Sequence, residues 1–219
     1  MRIVEHLERV WNTPGSGIWE SRSAPHHYTY PRVMAWVALD RFITHRTNAG
    51  KAVPERLTAL RDVIHDEVCR DAWNEGLGSF TQYYGSETLD ASLLLLPLVG
   101  FIPVNDPRMA STIETIRREL SEDGLIRRRK RDSQGPNEGV FLACSCWMAD
   151  CLMAMGRKSA AYEQFQRVLA VANDVGLLSE QYNTDRHELV GNFPQVLTHL
   201  AVINTALGLC GPVMQRGGG

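Results

Sequence analysis

The stretch Val140-Phe-Leu-Ala-Cys-Ser-Cys-Trp-Met-Ala-Asp-Cys-Leu-Met-Ala-Met155 is apolar on every side of a helical wheel, interrupted only by Ser145 and Asp150. A helix of this kind has no face to give to water and must be enclosed by neighbours. Three more segments read the same way: Val33 to Ile43, Leu89 to Leu98, and Val196 to Leu209. They begin at intervals of roughly 50 residues, the spacing of repeated helical hairpins. Between them lie amphipathic segments with apolar residues three and four apart: Leu57, Leu60, Ile64, Val68; Met109, Ile113, Ile116, Leu120; and Tyr162, Phe165, Val168, Leu169. These present one face to water. With a first helix over Ile3 to Trp11, the pattern predicts an all-α chain whose buried and half-exposed helices alternate as the inner and outer layers of a toroid. Pro54, Pro107 and the Ser159 region open outer helices, and Gly50, Gly76, Gly124, Gly156 and Gly176 follow or interrupt helical runs. Gly78 to Gly85 forms a brief strand or an ordered loop.

Composition limits what such a chain does. It has 219 residues, 44% apolar and 22% charged, with a formal net charge of −2. That balance gives no electrostatic reason to expect nucleic acid or an anionic membrane as a partner. The longest apolar run, Leu93 to Ile102, is too short for a membrane span and contains Pro97 and Gly100. No export signal precedes it, so a soluble, cytoplasmic protein is expected. Five cysteines, Cys69, Cys144, Cys146, Cys151 and Cys210, fall mostly inside apolar helices and suit reduced thiols better than disulfides. The Cys144-x-Cys146 pair with Cys151 misses the usual zinc spacing and has no histidine close by, so no metal is expected.

The unusual residues lie in the connections that lead into each buried helix: Gly17 to Tyr30, Thr81 to Asp90, Arg127 to Gly139, and Ser179 to Gln195. In an alternating toroid these four loops emerge on one rim. Glu20, in Gly17-Ile18-Trp19-Glu20, and Glu180, in Leu178-Ser179-Glu180-Gln181-Tyr182, therefore belong to a common cleft. Two carboxyl groups among aromatic residues are the apparatus for hydrolysing a glycosidic bond. An apolar wall of Ile18 and Trp19 suits Glu20 to the general acid, and the hydrogen-bonding neighbours Ser179 and Gln181 suit Glu180 to the base. An inverting reaction would set the carboxyl groups roughly 6.5–9.5 Å apart.

The ordered motifs GIWESR (Gly17 to Arg22), RVMAWVALDR (Arg32 to Arg41), LDASLLLLPLVGF (Leu89 to Phe101), NEGVFLACSCWMAD (Asn137 to Asp150), NDVGLLSEQY (Asn173 to Tyr182) and VGNFPQVLTHLAVINTAL (Val190 to Leu207) resemble glycoside hydrolase family 15. This is the glucoamylase, glucodextranase and bacterial trehalase group. The resemblance implies an (α/α)6 toroid of six hairpins, with Glu20 the general acid and Glu180 the general base of an inverting mechanism. Residues 1–213 look like helices five to twelve of the family's catalytic barrel, about eight of twelve, followed by a disordered tail at 214–219. The implied substrate is an α-glucan end or trehalose, a small or oligosaccharide ligand, with no metal or organic cofactor.

Further candidates for substrate binding are Trp19, Arg22, Tyr83, Arg128, Gln181 and Asn192. The family carries a sugar-binding arginine near Arg128, whose expected aromatic neighbour is replaced here by Arg129. Asn192 orients the base loop or terminates it; Asp90 lies on the rim or caps the following helix. Packing outweighs catalysis for His26, His27 and Tyr28, as core does over sugar platform for Trp147. The resemblance also implies that four helices, an N-terminal β-sandwich and the pair that grips the terminal glucose lie outside the chain. The first and last hairpins should then show an open, apolar edge, the expected site of self-association. The competing reading is a truncated, non-catalytic helical domain with a carbohydrate-binding or scaffold role.

Overall fold

The computed structural model describes residues 2–130 and 138–211. The tail expected at 214–219 lies outside them, as do Asn137 and Arg131. The chain divides into two units, Met1–Thr88 and Leu89–Gly219.

The first unit contains α1 (Arg2–Val10), α2 (Thr29–Asn48), α3 (Glu55–Asp71) and a small hairpin of β1 (Trp73–Asn74) and β2 (Ser79–Phe80). Helices α2 and α3 form its hairpin. Val33, Trp36, Leu39 and Ile43 recur at helical spacing on the buried side of α2, and Leu57, Ile64 and Val68 do so on α3. Their turn is closed by Gly50, whose φ of 63° puts it in the left-handed region. The N–H of Gly50 bonds to the carbonyl of Thr47 at 2.9 Å, and that of Lys51 to Arg46 at 2.9 Å. Those bonds satisfy carbonyls that the end of α2 would leave orphaned. The Gly78 to Gly85 segment resolves into strand β2 and an ordered loop.

In the second unit a 3-10 turn (Ala91–Leu94) runs into α4 (Leu95–Leu98), followed by α5 (Pro107–Glu119), α6 (Leu142–Ala154), α7 (Lys158–Leu169) and α8 (Val196–Cys210). Eight α-helices are thus present among the described residues. Helix α6 is its centre: ten of its thirteen residues are buried, and α4, α5, α7, α8 and the 3-10 turn all pack on it. The short strands β3 (Ser121–Glu122) and β4 (Leu125–Ile126) pair through Asp123 and Gly124, both at positive φ. That is the conformation a two-residue hairpin needs, and Asp-Gly is its usual sequence. Strands β5 (Val140–Phe141), β6 (Gln181–Asn183) and β7 (Glu188–Val190) form an antiparallel sheet in that order. Sheet β5-β6-β7 joins the entry of α6 to the loop that holds Glu180.

Two expectations change. Helix α8 is apolar all round, yet only Thr198, Ala201 and Thr205 are buried. The small residues take the packed side, with Thr205 Oγ1 bonding to the carbonyl of Cys146 at 3.5 Å. Val196 (69% exposed), Leu200 (52%), Ile203 (53%) and Leu207 (65%) are left as an outward stripe. On α7 the buried stripe is Ala161, Gln164, Phe165 and Val168, while Tyr162 and Leu169 face water. The amphipathic face is rotated by about one residue from the one read off the apolar side chains.

Helix α5 shows how its start is encoded. Asp106 accepts a hydrogen bond from the N–H of Arg108 at 2.9 Å, with Pro107 at the first helical position. The side chain of Arg108 lies 3.1 Å from the same carboxylate. Its hydrogen bond chiefly holds the Asp106 carboxyl below the usual range, against the opposing effect of burial, with backbone hydrogen bonds and the Arg108 charge adding. A depressed folded-state pKa contributes stability that is present above the unfolded value and lost as pH falls through the folded one. Asp106→Ala is expected to cost about 1 kcal/mol at pH 7 in urea denaturation. That penalty should shrink as pH falls through and below the ordinary carboxylate range, as the wild-type carboxyl protonates.

Candidate active site

The Glu20 loop lies in the first unit. Arg32, 2% exposed in the first turns of α2, sends its guanidinium back along the chain. It donates to the carbonyls of Trp11 and Asn12, the latter at 2.7 Å, contacts the ring of His27, and lies 5.2 Å from the Trp11 ring centroid. Burial lowers its pKa, partly offset by Tyr84 and Glu67. Gly15 and His26 exchange two backbone hydrogen bonds of 3.0 Å. The stem of the loop is therefore fixed from both ends.

Within the loop, Gly17 has φ 73° and a Cβ there would sit 2.9 Å from the Tyr28 ring, so a side chain would meet both a strained backbone and the ring. The turn closes with the N–H of Ser21 on the carbonyl of Ser16 at 2.8 Å. It leaves Glu20 at φ 49°, a left-handed conformation that costs a non-glycine residue about 1–2 kcal/mol. Glu20 is exposed, and its carboxylate has no hydrogen bond or ion pair among the described residues. The apolar wall read from Ile18 and Trp19 does not bury it; both are half-buried beside an open carboxylate. Arg22 is half-buried and likewise unpaired among the described residues.

Tyr83 stacks on His26 with ring centroids 4.2 Å apart and meets Tyr28 edge-on at 5.6 Å. The Tyr84 N–H bonds to the His27 carbonyl at 3.1 Å, and Tyr84 donates its hydroxyl to Glu67 at 3.2 Å. His26, His27 and Tyr28 are thus packing partners of the loop that bears Glu20.

The second unit supplies Glu180. Its N–H bonds to the carbonyl of Asn192 at 2.9 Å, and its carbonyl accepts from Leu142 at the start of α6 at 3.3 Å. The carboxylate Oε2 accepts from Asn192 Nδ2 at 2.7 Å and from the Asn192 N–H at 3.3 Å. Asn192 therefore holds the Glu180 carboxylate and the loop that bears it. Gln181 is half-buried, with a side-chain amide that makes no hydrogen bond among the described residues. Behind it, Thr198 Oγ1 holds the Ser179 carbonyl at 2.9 Å. His199 Nε2 accepts from the Leu178 N–H at 3.3 Å while Nδ1 meets the Gln195 carbonyl at 2.7 Å. A neutral ring protonated on Nδ1 satisfies both.

Arg128 is engaged by protein groups: its guanidinium is 2.8 Å from Glu138 and 5.3 Å from the Phe141 ring centroid. Burial works to raise the Glu138 pKa, but the bond and charge of Arg128, with Arg129, hold it below the usual range. Asp90 caps the 3-10 turn, accepting from the Ser92 N–H at 2.7 Å. Trp147 is buried in α6. Burial raises the thiol pKa values of Cys144 and Cys151, and that of Cys146 to about 12, so the three thiols are protonated at neutral pH.

Sequence reasoning missed a buried cluster in which Arg127 pairs with Glu122 and the carbonyl of Glu138, and Thr184 donates to Glu122. The cluster ties the β3–β4 hairpin to the end of β6. The Asp123-Gly124 pair was the available signal for that hairpin. The close approach of Gly139 also went unread: a Cβ there would lie 2.3 Å from the carbonyl oxygen of Tyr182.

A family model described as "Glycosyl hydrolases family 15" matches residues 1–207. The chain is 38% identical to a trehalase of Thermoplasma volcanium over 98% of its own length and 35% of the relative's. It is 39% identical to a trehalase of Thermoplasma acidophilum over 93% of its length and 36% of the relative's. It thus spans about a third of the length of these curated relatives. A solved glycosidase superposes with a TM-score of 0.80 at 20% identity, covering 94% of this chain and 58% of that one. The glucoamylase of Hormoconis resinae gives 0.75 at 11% identity, covering 95% and 46%. These likenesses show the fold class: all-α, that of the (α/α)6 toroid, incomplete here with eight helices among the described residues.

The strained turn yields a stability test. Replacing Glu20 by glycine removes the left-handed penalty, and is expected to raise unfolding free energy by about 1 kcal/mol in denaturant titrations. Gly17→Ala is expected to lower it by about 2 kcal/mol or more, through both its φ and the Tyr28 ring.

Proposed function

The chain belongs to glycosyl hydrolases family 15, and from that membership we propose that it carries the two catalytic carboxyl groups of an inverting α-glucoside hydrolase. Glu20 donates a proton to the glycosidic oxygen as the bond to the anomeric carbon breaks. Glu180 takes a proton from the water that attacks that carbon from the opposite face. The attacking water's proton ends on Glu180 and the departing sugar carries the proton of Glu20, so the cycle closes once the two groups re-equilibrate with solvent. No metal or organic cofactor is required by this balance. The observation that carries the reading is the contrast between the carboxylates: Glu20 is exposed and unpaired among the described residues, while Glu180 is held by Asn192 on one oxygen.

Trehalose is the substrate this reading favours, because the relatives at 38% and 39% identity are named trehalases. The glucoamylase likeness, at 11% identity, supports fold rather than substrate. Arg22 and Gln181, whose polar groups are unspent among the described residues, are the proposed sugar contacts, with Trp19 and Tyr83 supplying aromatic surface. Arg128, whose guanidinium is paired with Glu138, is a further proposed sugar contact. The barrel segment is taken as residues 1–213, corresponding to helices five to twelve, in a protein of the cytoplasm where buried thiols stay reduced.

On trehalose, inversion at one anomeric centre releases β-glucose from the attacked ring and α-glucose from the leaving ring. Proton NMR during the first turnovers should show the two anomers in equal amounts. Glu20→Gln and Glu180→Gln should each lower kcat by about 10²-fold or more. Hydrolysis of maltose or dextran but not trehalose would move the assignment to glucan ends, and rates unchanged in both variants would remove the carboxyl roles.

The same reading proposes self-association through α8, which carries no charged residue to oppose a second copy. The outward residues Val196, Leu200, Ile203 and Leu207 follow the four-three spacing of a helix–helix seam. Sedimentation of the Leu200→Glu, Ile203→Glu double variant is expected to give a smaller species than the unmodified chain.

A further inference from the structure

The side-chain amide of Asn192, a candidate for binding sugar, lies on the Glu180 carboxylate. Strand β7 stops at Val190, and Gly191, at φ 78°, turns the chain back over Glu180. A Cβ at Gly191 would lie 3.2 Å from Glu180 Cβ and 3.3 Å from Oε2, a gap in which a side chain would press on the carboxylate. This close passage brings Asn192 onto the backbone and side chain of Glu180 together. Its carbonyl takes the Glu180 N–H at 2.9 Å. Its Nδ2 donates to Oε2 at 2.7 Å, and its own N–H points to the same oxygen at 3.3 Å. Among the described residues Oε1 accepts no hydrogen bond.

A base must present one oxygen to the water at hydrogen-bond reach, and misplacement by about 1 Å can cost about 10²-fold. A glutamate between strands has three side-chain torsions and two equivalent oxygens, so something must choose between them. From this arrangement we infer that Asn192 is the positioning residue of Glu180: it anchors Oε2 and thereby assigns Oε1 to the attacking water. This rests on the base role proposed above. It makes Asn192 a partner of the base rather than of the sugar, and leaves the unspent amide of Gln181 for the ligand.

Two arms test it. In isotope-labelled protein, the Asn192 side-chain amide signals are followed from about pH 7 to pH 3, over which a glutamate protonates. They should move as Glu180 takes up its proton, and stay still in Glu180→Gln. Signals that do not respond, or respond equally in that variant, overturn the inference whether or not the protein hydrolyses anything. In the kinetic arm, Asn192→Ala should lower kcat about 10²-fold with KM within about threefold. Asn192→Asp, the same shape without the donor, should lose as much. A raised KM at unchanged kcat would make Asn192 a sugar ligand, and a fully active Asp variant would show that donation is irrelevant; either refutes the inference. Absence of hydrolysis in the unmodified protein would count against the proposed reaction alone, and the amide signals would then decide the role of Asn192.

Discussion

Enclosure of α6 is the constraint on which the second unit depends. A helix that buries ten of thirteen residues cannot exist without partners on several sides, and each partner becomes fixed by the same contact. Deleting a large side chain from such a helix typically costs about 2–5 kcal/mol, a large share of a domain's margin. The Glu180 loop is attached directly to this scaffold. Phe141 and Val140, just before the helix, pair with Gln181 and Tyr182, and the N–H of Leu142 bonds to the carbonyl of Glu180. The position of Glu180 is therefore inherited from the best-buried helix of the chain.

Glu20 is positioned by different means. A buried guanidinium gathers the loop stem through two carbonyls and an imidazole, and Gly17 admits the Tyr28 ring. The result is a carboxyl group presented outward at a backbone cost, where the Glu180 carboxylate is held by hydrogen bonds from Asn192. The two carboxyl groups are thus held by separate local structures, one by a strained turn and the other by the side chain and backbone of Asn192.

The helices were legible because burial writes a period into the sequence. Leu57, Ile64 and Val68 fall where the spacing puts them, and α6 is as enclosed as its uniform hydrophobicity requires. The sides of α8 were not legible, since a helix with apolar residues all round gives no direction; the small Thr198, Ala201 and Thr205 decided which face packs. Two-residue strands such as Trp73–Asn74 carry no alternation, and only Asp123-Gly124 advertised its hairpin. The site divided along the same line. The motifs containing Glu20 and Glu180 could be seen, but the conformation of Glu20 could not, because glutamate gives no sign of a left-handed backbone. Nor could the pairing of Arg128 with Glu138 or Glu122 with Arg127, which depends on the folded chain.

The approach of Gly139 to Tyr182 bears on how this protein can change. The would-be Cβ contact of 2.3 Å is with a backbone carbonyl, which no rotamer change can move aside. Any other amino acid there would drive a wedge between β5 and β6 and carry the adjoining Glu180 off its mark. Many neighbouring core positions can exchange one hydrophobe for another, but this one has no smaller or softer substitute. A gene library randomised at that codon and selected for a working protein would return glycine alone, however stable the background into which it was placed.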